Sequence, residues 1–214
     1  MRRCAESLVC SIALLWGASG CGAPPARIGY FLDSSWNPIL TRRVVLVELA
    51  PDKGPSEVAD GLTESLYKAL QSKMLFHVDV VARTSPVCRD LPLSKRGNFS
   101  LTELENMREE LQCDAVVFGS VTLSTPYPRQ QVGVYLLMLD LRGGRLLWGI
   151  DHTWDTTDKL TEERLKDYFS ENMRDGYGPA DWRLARMSPR MFHEFVAREV
   201  SATLPDPNAL STGR

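Results

Sequence analysis

Three histidines and five cysteines are few for a chain of 214 residues, and their spacing excludes as much as their number. No two cysteines form a CxxC pair, and no cysteine–histidine set has zinc spacing, which removes the usual redox and structural-zinc motifs. A Walker loop is lacking. The paired glycines Gly143 and Gly144 sit in a hairpin signal and do not open a helix, so nucleotide binding is unsupported. Gly119-Ser120-Val121 lacks the second glycine of a nucleophile elbow, and a hydrolase built on it fails. Neither sign of charge dominates: 25 Lys and Arg against 27 Asp and Glu leave a net charge of −2, with no basic footprint for nucleic acid and no acidic tail. Internal repeats, low-complexity blocks and an apolar run long enough to span a bilayer are also missing; Leu8–Trp16 is too short for a stable span. What remains is an ordinary globular composition, 43% apolar and 24% charged, and enough residues to bury one domain core.

The first 20 residues carry the most specific signal. Met1-Arg2-Arg3 is a basic start, Leu8–Trp16 an apolar middle, and Gly17-Ala18-Ser19-Gly20 a small-residue cleavage zone, the anatomy of a secretory signal peptide over 1–20. Ala18-Ser19-Gly20-Cys21 resembles the bacterial lipobox, which implies cleavage before Cys21 and acylation of that cysteine with palmitate-type chains. The plainer alternative is a secretory signal followed by an incidental Cys21. Cleavage would remove Arg2, Arg3 and Glu6 and take the net charge from −2 to −3. Electrostatics would then not hold the mature chain on anionic lipid. The expected partner is the bilayer itself, reached through the acyl chains, each buried CH₂ contributing about 0.8 kcal/mol. Gly22 follows the cysteine in place of Asp; by resemblance to Gram-negative lipoproteins this implies the periplasmic side of the outer membrane over inner-membrane retention.

Residues 21–42 read as the lipidated cysteine with a linker and arm. The arm holds Tyr30, Phe31 and Trp36, either laid on the domain or free for a partner. The globular domain is expected over 43–204, with a flexible tail at 205–214. Arg43–Leu49 is a buried strand stopped by Pro51, and a helix from Pro55-Ser56-Glu57 carries Val58, Leu62, Leu66 and Leu70 as an apolar stripe. Phe76–Ala82 is a second strand and Thr84–Gly97 a loop. Ser100-Leu101-Thr102-Glu103 is a capping box opening a helix with Leu101, Leu104, Met107 and Leu111 on one side. Three strands follow. Ala115–Leu123 comes first, and Val132–Leu141 is apolar on both faces and wants cover on both. In Leu146–Thr153 the residues Leu146, Trp148, Ile150 and Trp154 share a face. Leu160–Met173 and a segment begun by Ser188-Pro189 read as two further helices. The expected class is α/β (α+β): one mixed sheet of about five strands in the order β-α-β-α-β-β-β, helices packed on it, and two extra C-terminal helices.

Several of these stretches together resemble a known group. Cys113-Asp114-Ala115-Val116-Val117-Phe118-Gly119-Ser120-Val121 and the hairpin Leu139-Asp140-Leu141-Arg142-Gly143-Gly144-Arg145-Leu146-Leu147-Trp148, with the strand at Arg43–Leu49 and the helix after it, resemble bacterial envelope lipoproteins that share the fold of the TolB N-terminal domain. These include the curli-export (CsgG) type and the LpoB-type activators of penicillin-binding proteins. The resemblance spans Val44–Thr157 and carries no catalytic residues. It implies a non-enzymatic, lipid-anchored binding or assembly lipoprotein of the cell envelope, with an envelope protein as partner, no nucleic acid, no cofactor, and self-association left open. The helices after Asp158 have no counterpart in the group, and the long amphipathic hairpins of a curli-type pore are missing.

Candidate contact residues are Tyr177, Trp182 and Trp36, because aromatics dominate interface energetics. Cys88 and Cys113 are permitted a disulfide in an oxidising compartment, or else are two buried thiols. No metal site is expected. The alternatives to a binding module are an auxiliary lipoprotein of an envelope transport or export system, and a small periplasmic hydrolase or metal enzyme centred on His152. The enzyme would need His152 to meet two carboxylates in a concave pocket, yet on a strand Asp151, Thr153 and Asp155 point away from it.

Overall fold

A computed structural model describes residues 28–52, 54–89, 99–126, 129–172 and 188–207. In chain order the strands are β1 (Tyr30–Leu32), β2 (Arg43–Val47), β3 (Ala50–Pro51), β4 (His77–Val81), β5 (Ala115–Thr125), β6 (Gln131–Asp140) and β7 (Leu146–Asp155). The helices are α1 (Ser56–Ser72), α2 (Pro86–Arg89), α3 (Leu101–Leu111), α4 (Lys159–Asn172) and α5 (Pro189–Ala202), with one 3₁₀ turn at Pro38–Leu40. The sheet runs β1-β7-β6-β5-β2-β4, and β3 pairs separately with β5. β2 lies parallel to both β4 and β5, as helical crossovers require, and β5, β6 and β7 form an antiparallel meander. The expected mixed sheet is there with seven strands, not about five. The two additions are β1, formed by the arm and antiparallel to β7, and the two-residue β3. Neither has the length to announce itself, since a strand of two or three residues shows no period.

Helices cover the two faces unequally. On one face α1, α4 and α5 bury Val44, Leu46, Val117, Val134, Leu136, Met138, Trp148, Ile150 and Trp154 in the main core, joined by Leu62, Leu66, Leu165, Phe192, Phe195 and Val200 from the helices. On the other face a smaller core gathers Val45, Val47, Val116, Phe118, Leu139 and Leu141 under α2 and α3. The capping box forms as the sequence foretells: Ser100 Oγ accepts from the Glu103 amide, and Glu103 accepts from the Ser100 amide.

Three local expectations change. Leu146 was to face inward with Trp148, but Met138 pairs Trp148 while Leu139 pairs Leu146, so Leu147 is an extra residue in β7. That bulge buries Leu147 and leaves Leu146 at 36% exposure. Leu101, the first residue of α3, is exposed, because the stripe that packs begins at Leu104. Within the expected Thr84–Gly97 loop, one helical turn, α2, occupies Pro86–Arg89.

Candidate functional site

The fold first explains the hairpin motif. Asp140 accepts hydrogen bonds from the amides of Arg142 and Gly143, 3.3 and 2.9 Å away, and the Gly144 amide bonds back to the Asp140 carbonyl at 2.9 Å. Gly144 has φ +66°, a left-handed conformation that suits glycine. Trp148 is fully buried, and its indole N–H donates to Thr203 Oγ1 at 2.8 Å. Asp114 ties the ends of three strands together. One carboxylate oxygen accepts the amides of Arg42 and Arg43, 72 and 71 residues earlier in the chain, and the other accepts from the Arg142 guanidinium at 2.7 Å. Burial pushes its pKa up, but those two amides and the Arg142 charge together hold it below the ordinary carboxylate value. The residues that carry the family resemblance are therefore fold-forming. Asp114→Asn is expected to cost about 2 kcal/mol at neutral pH, since hydrogen bonds to a charged group are the strong ones. A lowered carboxylate pKa gives stability that is present above the unfolded value and lost as pH falls through the folded one, so the gap in denaturant midpoint between wild type and variant should narrow as the pH drops below the ordinary carboxylate range.

Among the described residues, His152 is not brought together with the two strand carboxylates beside it. It shares the α-helical face with Trp154, its ring edge-on to that indole with centroids 4.7 Å apart, while Asp151 and Asp155 lie on the opposite face, as strand alternation requires. The nearby carboxylates on its own side are already engaged. Glu199 accepts from Trp154 Nε1 at 3.1 Å and from Arg164 Nε at 2.8 Å, and Asp158 caps the first turn of α4 through Thr161. Partial burial, helped by the Arg164 charge, lowers the His152 pKa. No group of three metal-ligating side chains occurs among the described residues.

Cys88 and Cys113 are separate thiols, both buried in the smaller core. Burial pushes the Cys113 thiol up to about 12 and raises that of Cys88, so neither is a reactive thiolate. Trp36 is half-buried against the main core and donates its indole N–H to Thr41 Oγ1 at 3.0 Å. Cys21, Tyr177 and Trp182 lie outside the described residues. A groove of about 450 Å³ opens beside Asp114 and α3, lined also by Glu105, Arg108 and Glu109; Arg43 on its wall pairs with Asp79 at 2.7 Å, and Asp114 is used as described.

Among the described residues, β1 forms one edge of the sheet, and the surface next to it is partly covered. β6 was expected to need cover on both faces. Its Val132, Val134, Leu136 and Met138 are buried, while on the other face Leu139 is covered and Tyr135 and Leu137 are only half-covered. Leu137 pairs with Gly149, which pairs in turn with Phe31, and Tyr135 pairs with the exposed Asp151. Tyr30 and Phe31 are 44% and 49% exposed. The signal for this surface was in the sequence, in the uncharged run Ile28-Gly29-Tyr30-Phe31-Leu32, but without a visible period it read as an arm and not as a strand. The opposite edge, β4, is partly blunted, because the Val78 amide is taken by Gln71 Oε1 at 3.2 Å.

No family model and no curated protein sequence matches this chain. Solved structures that resemble it include the PelC dodecamer from Paraburkholderia phytofirmans, with 13% identity, 64% of this chain and 86% of that one covered, and a TM-score of 0.42. Another is lipoprotein GNA1162 from Neisseria meningitidis, with 14% identity, 63% and 98% covered, and a TM-score of 0.39. A third is the C-terminal domain of LpoB from Salmonella enterica, with 16% identity, 53% and 82% covered, and a TM-score of 0.36. Likenesses at these scores carry no functional conclusion for this chain.

Proposed function

We propose that this protein is a non-catalytic binding or assembly lipoprotein of the bacterial envelope, held at the periplasmic side of the outer membrane by acylation of Cys21 and presenting its domain to an envelope protein. The observation that carries this reading is the signal-like segment running into Ala18-Ser19-Gly20-Cys21. Two features support the non-catalytic part. The residues that carry the resemblance to envelope lipoproteins, Asp114, Asp140, Gly144 and Trp148, are spent on turns, strand ends and packing. The carboxylates beside His152 are engaged by Trp154, Arg164 and Thr161, which favours a tether over an enzyme centred there.

The test is expression of the full chain in a bacterial host beside Cys21→Ala, followed by fractionation and intact mass. The expected result is an acyl mass on Cys21 with wild type in the membrane fraction and the variant soluble. A soluble wild type without acyl mass would overturn the reading.

A further inference from the structure

Three apolar features reach the surface among the described residues: the Ile39–Leu40 pair on the 3₁₀ turn, the half-covered face around Tyr135 and Leu137, and the β1 edge with Tyr30 and Phe31. Only the third has a neighbour fixed by chain length. Ile28 is 4% exposed and belongs to the main core, so the domain is anchored from that residue onward. Seven residue steps separate it from Cys21, a reach of at most about 25 Å at full extension. A domain of this size has a radius of gyration of about 16 Å, so such a tether is shorter than the domain is wide. Whatever path the linker takes, Ile28 stays within about 25 Å of the lipid, and the chain that follows it starts from there.

Tyr30 and Phe31 are two and three residues beyond that anchor and are the exposed aromatic side chains closest to it in the chain. No charge falls between Ile28 and Leu32, and nothing lies within 4 Å of where a Gly29 side chain would start. Tyrosine, like tryptophan, favours the boundary between headgroups and hydrocarbon, with an apolar body and a polar tip, and phenylalanine serves as an apolar anchor at the same depth. On β1 the Asp33 amide donates to the Leu147 carbonyl, so alternation directs the amides of Tyr30 and Leu32 away from β7. Water or lipid headgroups can satisfy those two outward groups.

We infer that the β1 edge is the membrane-facing side of this protein, Tyr30 and Phe31 resting on the bilayer surface as a second contact that fixes the orientation set up by the Cys21 anchor. This rests on the tethering reading above. The contact is aromatic and not electrostatic, in keeping with a mature net charge that has no cationic excess.

Hydrogen exchange by mass spectrometry tests it without any variant of the edge. The full-length acylated protein on vesicles of phosphatidylethanolamine and phosphatidylglycerol is compared with unacylated Cys21→Ala free in buffer. The expected result is exchange slowed about fivefold or more across residues 29–33 on vesicles, with residues 37–41 unchanged. If the protein is acylated and vesicle-bound but residues 29–33 exchange as in buffer, the orientation is wrong and the tether stands. If residues 29–33 become protected with rising protein concentration in the absence of vesicles, a second copy occupies the edge and the membrane assignment is overturned. If Cys21 carries no acyl mass, the tethering reading and this inference fall together.

Discussion

Trp148→Ala is expected to remove most of the protein's thermodynamic stability. The side chain is 0% exposed, projects from β7 into the main core, and is among the largest fully buried groups in the domain. Truncating a buried tryptophan to alanine costs about 3–5 kcal/mol through lost transfer energy and a residual cavity. Against a total stability of roughly 5–15 kcal/mol for a domain, that leaves little or no margin at 37 °C. A second contribution comes from Thr203, whose hydroxyl accepts the indole N–H at 2.8 Å and itself donates to the Val200 carbonyl at 2.7 Å. Without the indole, the threonine keeps its donor role and loses a buried donor to itself. Trp148→Phe separates the two effects, since it retains most of the ring volume and loses only the N–H, and should cost about 1 kcal/mol for the hydrogen bond plus a modest packing loss. Urea midpoints of the two variants check this. A Trp148→Ala midpoint within error of wild type would mean that α5 does not dock on β7 as described.

Gly119→Ala is expected to have an effect of similar size for the opposite reason. A Cβ built on Gly119 would lie 1.9 Å from the Tyr135 carbonyl oxygen and 3.0 Å from Leu136 Cα, both backbone atoms of the neighbouring strand. A flexible side chain could swing aside; a paired backbone cannot, so β5 and β6 must part in the middle of the sheet. Overpacking usually costs about 1–3 kcal/mol, and a clash with backbone belongs at or beyond the top of that range. The measurement is the thermal midpoint by circular dichroism, with loss of about 6 °C or more expected for a domain of this length. Gly119→Val should fail to give a cooperative transition at all. The same glycine, read in sequence, invited comparison with a nucleophile elbow; its actual role is to let two backbones approach.

Packing and charge also account for the bond between the C-terminal helices and the rest of the domain. The two tryptophans of β7 that are fully buried both donate to the C-terminal helix region, Trp154 to Glu199 within α5 and Trp148 to Thr203, which caps it. Glu199 in turn pairs with Arg164 of α4 at 2.8 Å, with both side chains largely shielded. The helices that had no counterpart in the resembling group are thus part of this domain's core.

The sequence by itself determined whatever depends on neighbours along the chain. The mixed sheet, the α1 stripe of Leu62, Leu66 and Leu70, the capping box at Ser100, the Gly-bearing hairpin between β6 and β7, and the opposition of His152 to Asp151 and Asp155 all follow from periods of 3.6 or 2 and from turn chemistry, which act over a few residues. Tertiary structure decided what depends on residues far apart. Tyr30 becomes part of a strand because Ile150 is there to pair with it, and a three-residue segment has no propensity strong enough to do so alone. Leu146 and Leu147 exchange places because a bulge alters the register of β7 against β6, which no alternation pattern within β7 reveals. The roles of Asp114 and Trp148 rest on partners at Arg42, Arg43 and Thr203, and among the described residues the smaller core reaches Leu139 of β6 while leaving Leu137 only partly covered. Local chemistry fixes which element forms; only the packed whole fixes which of its surfaces is left for something else to touch.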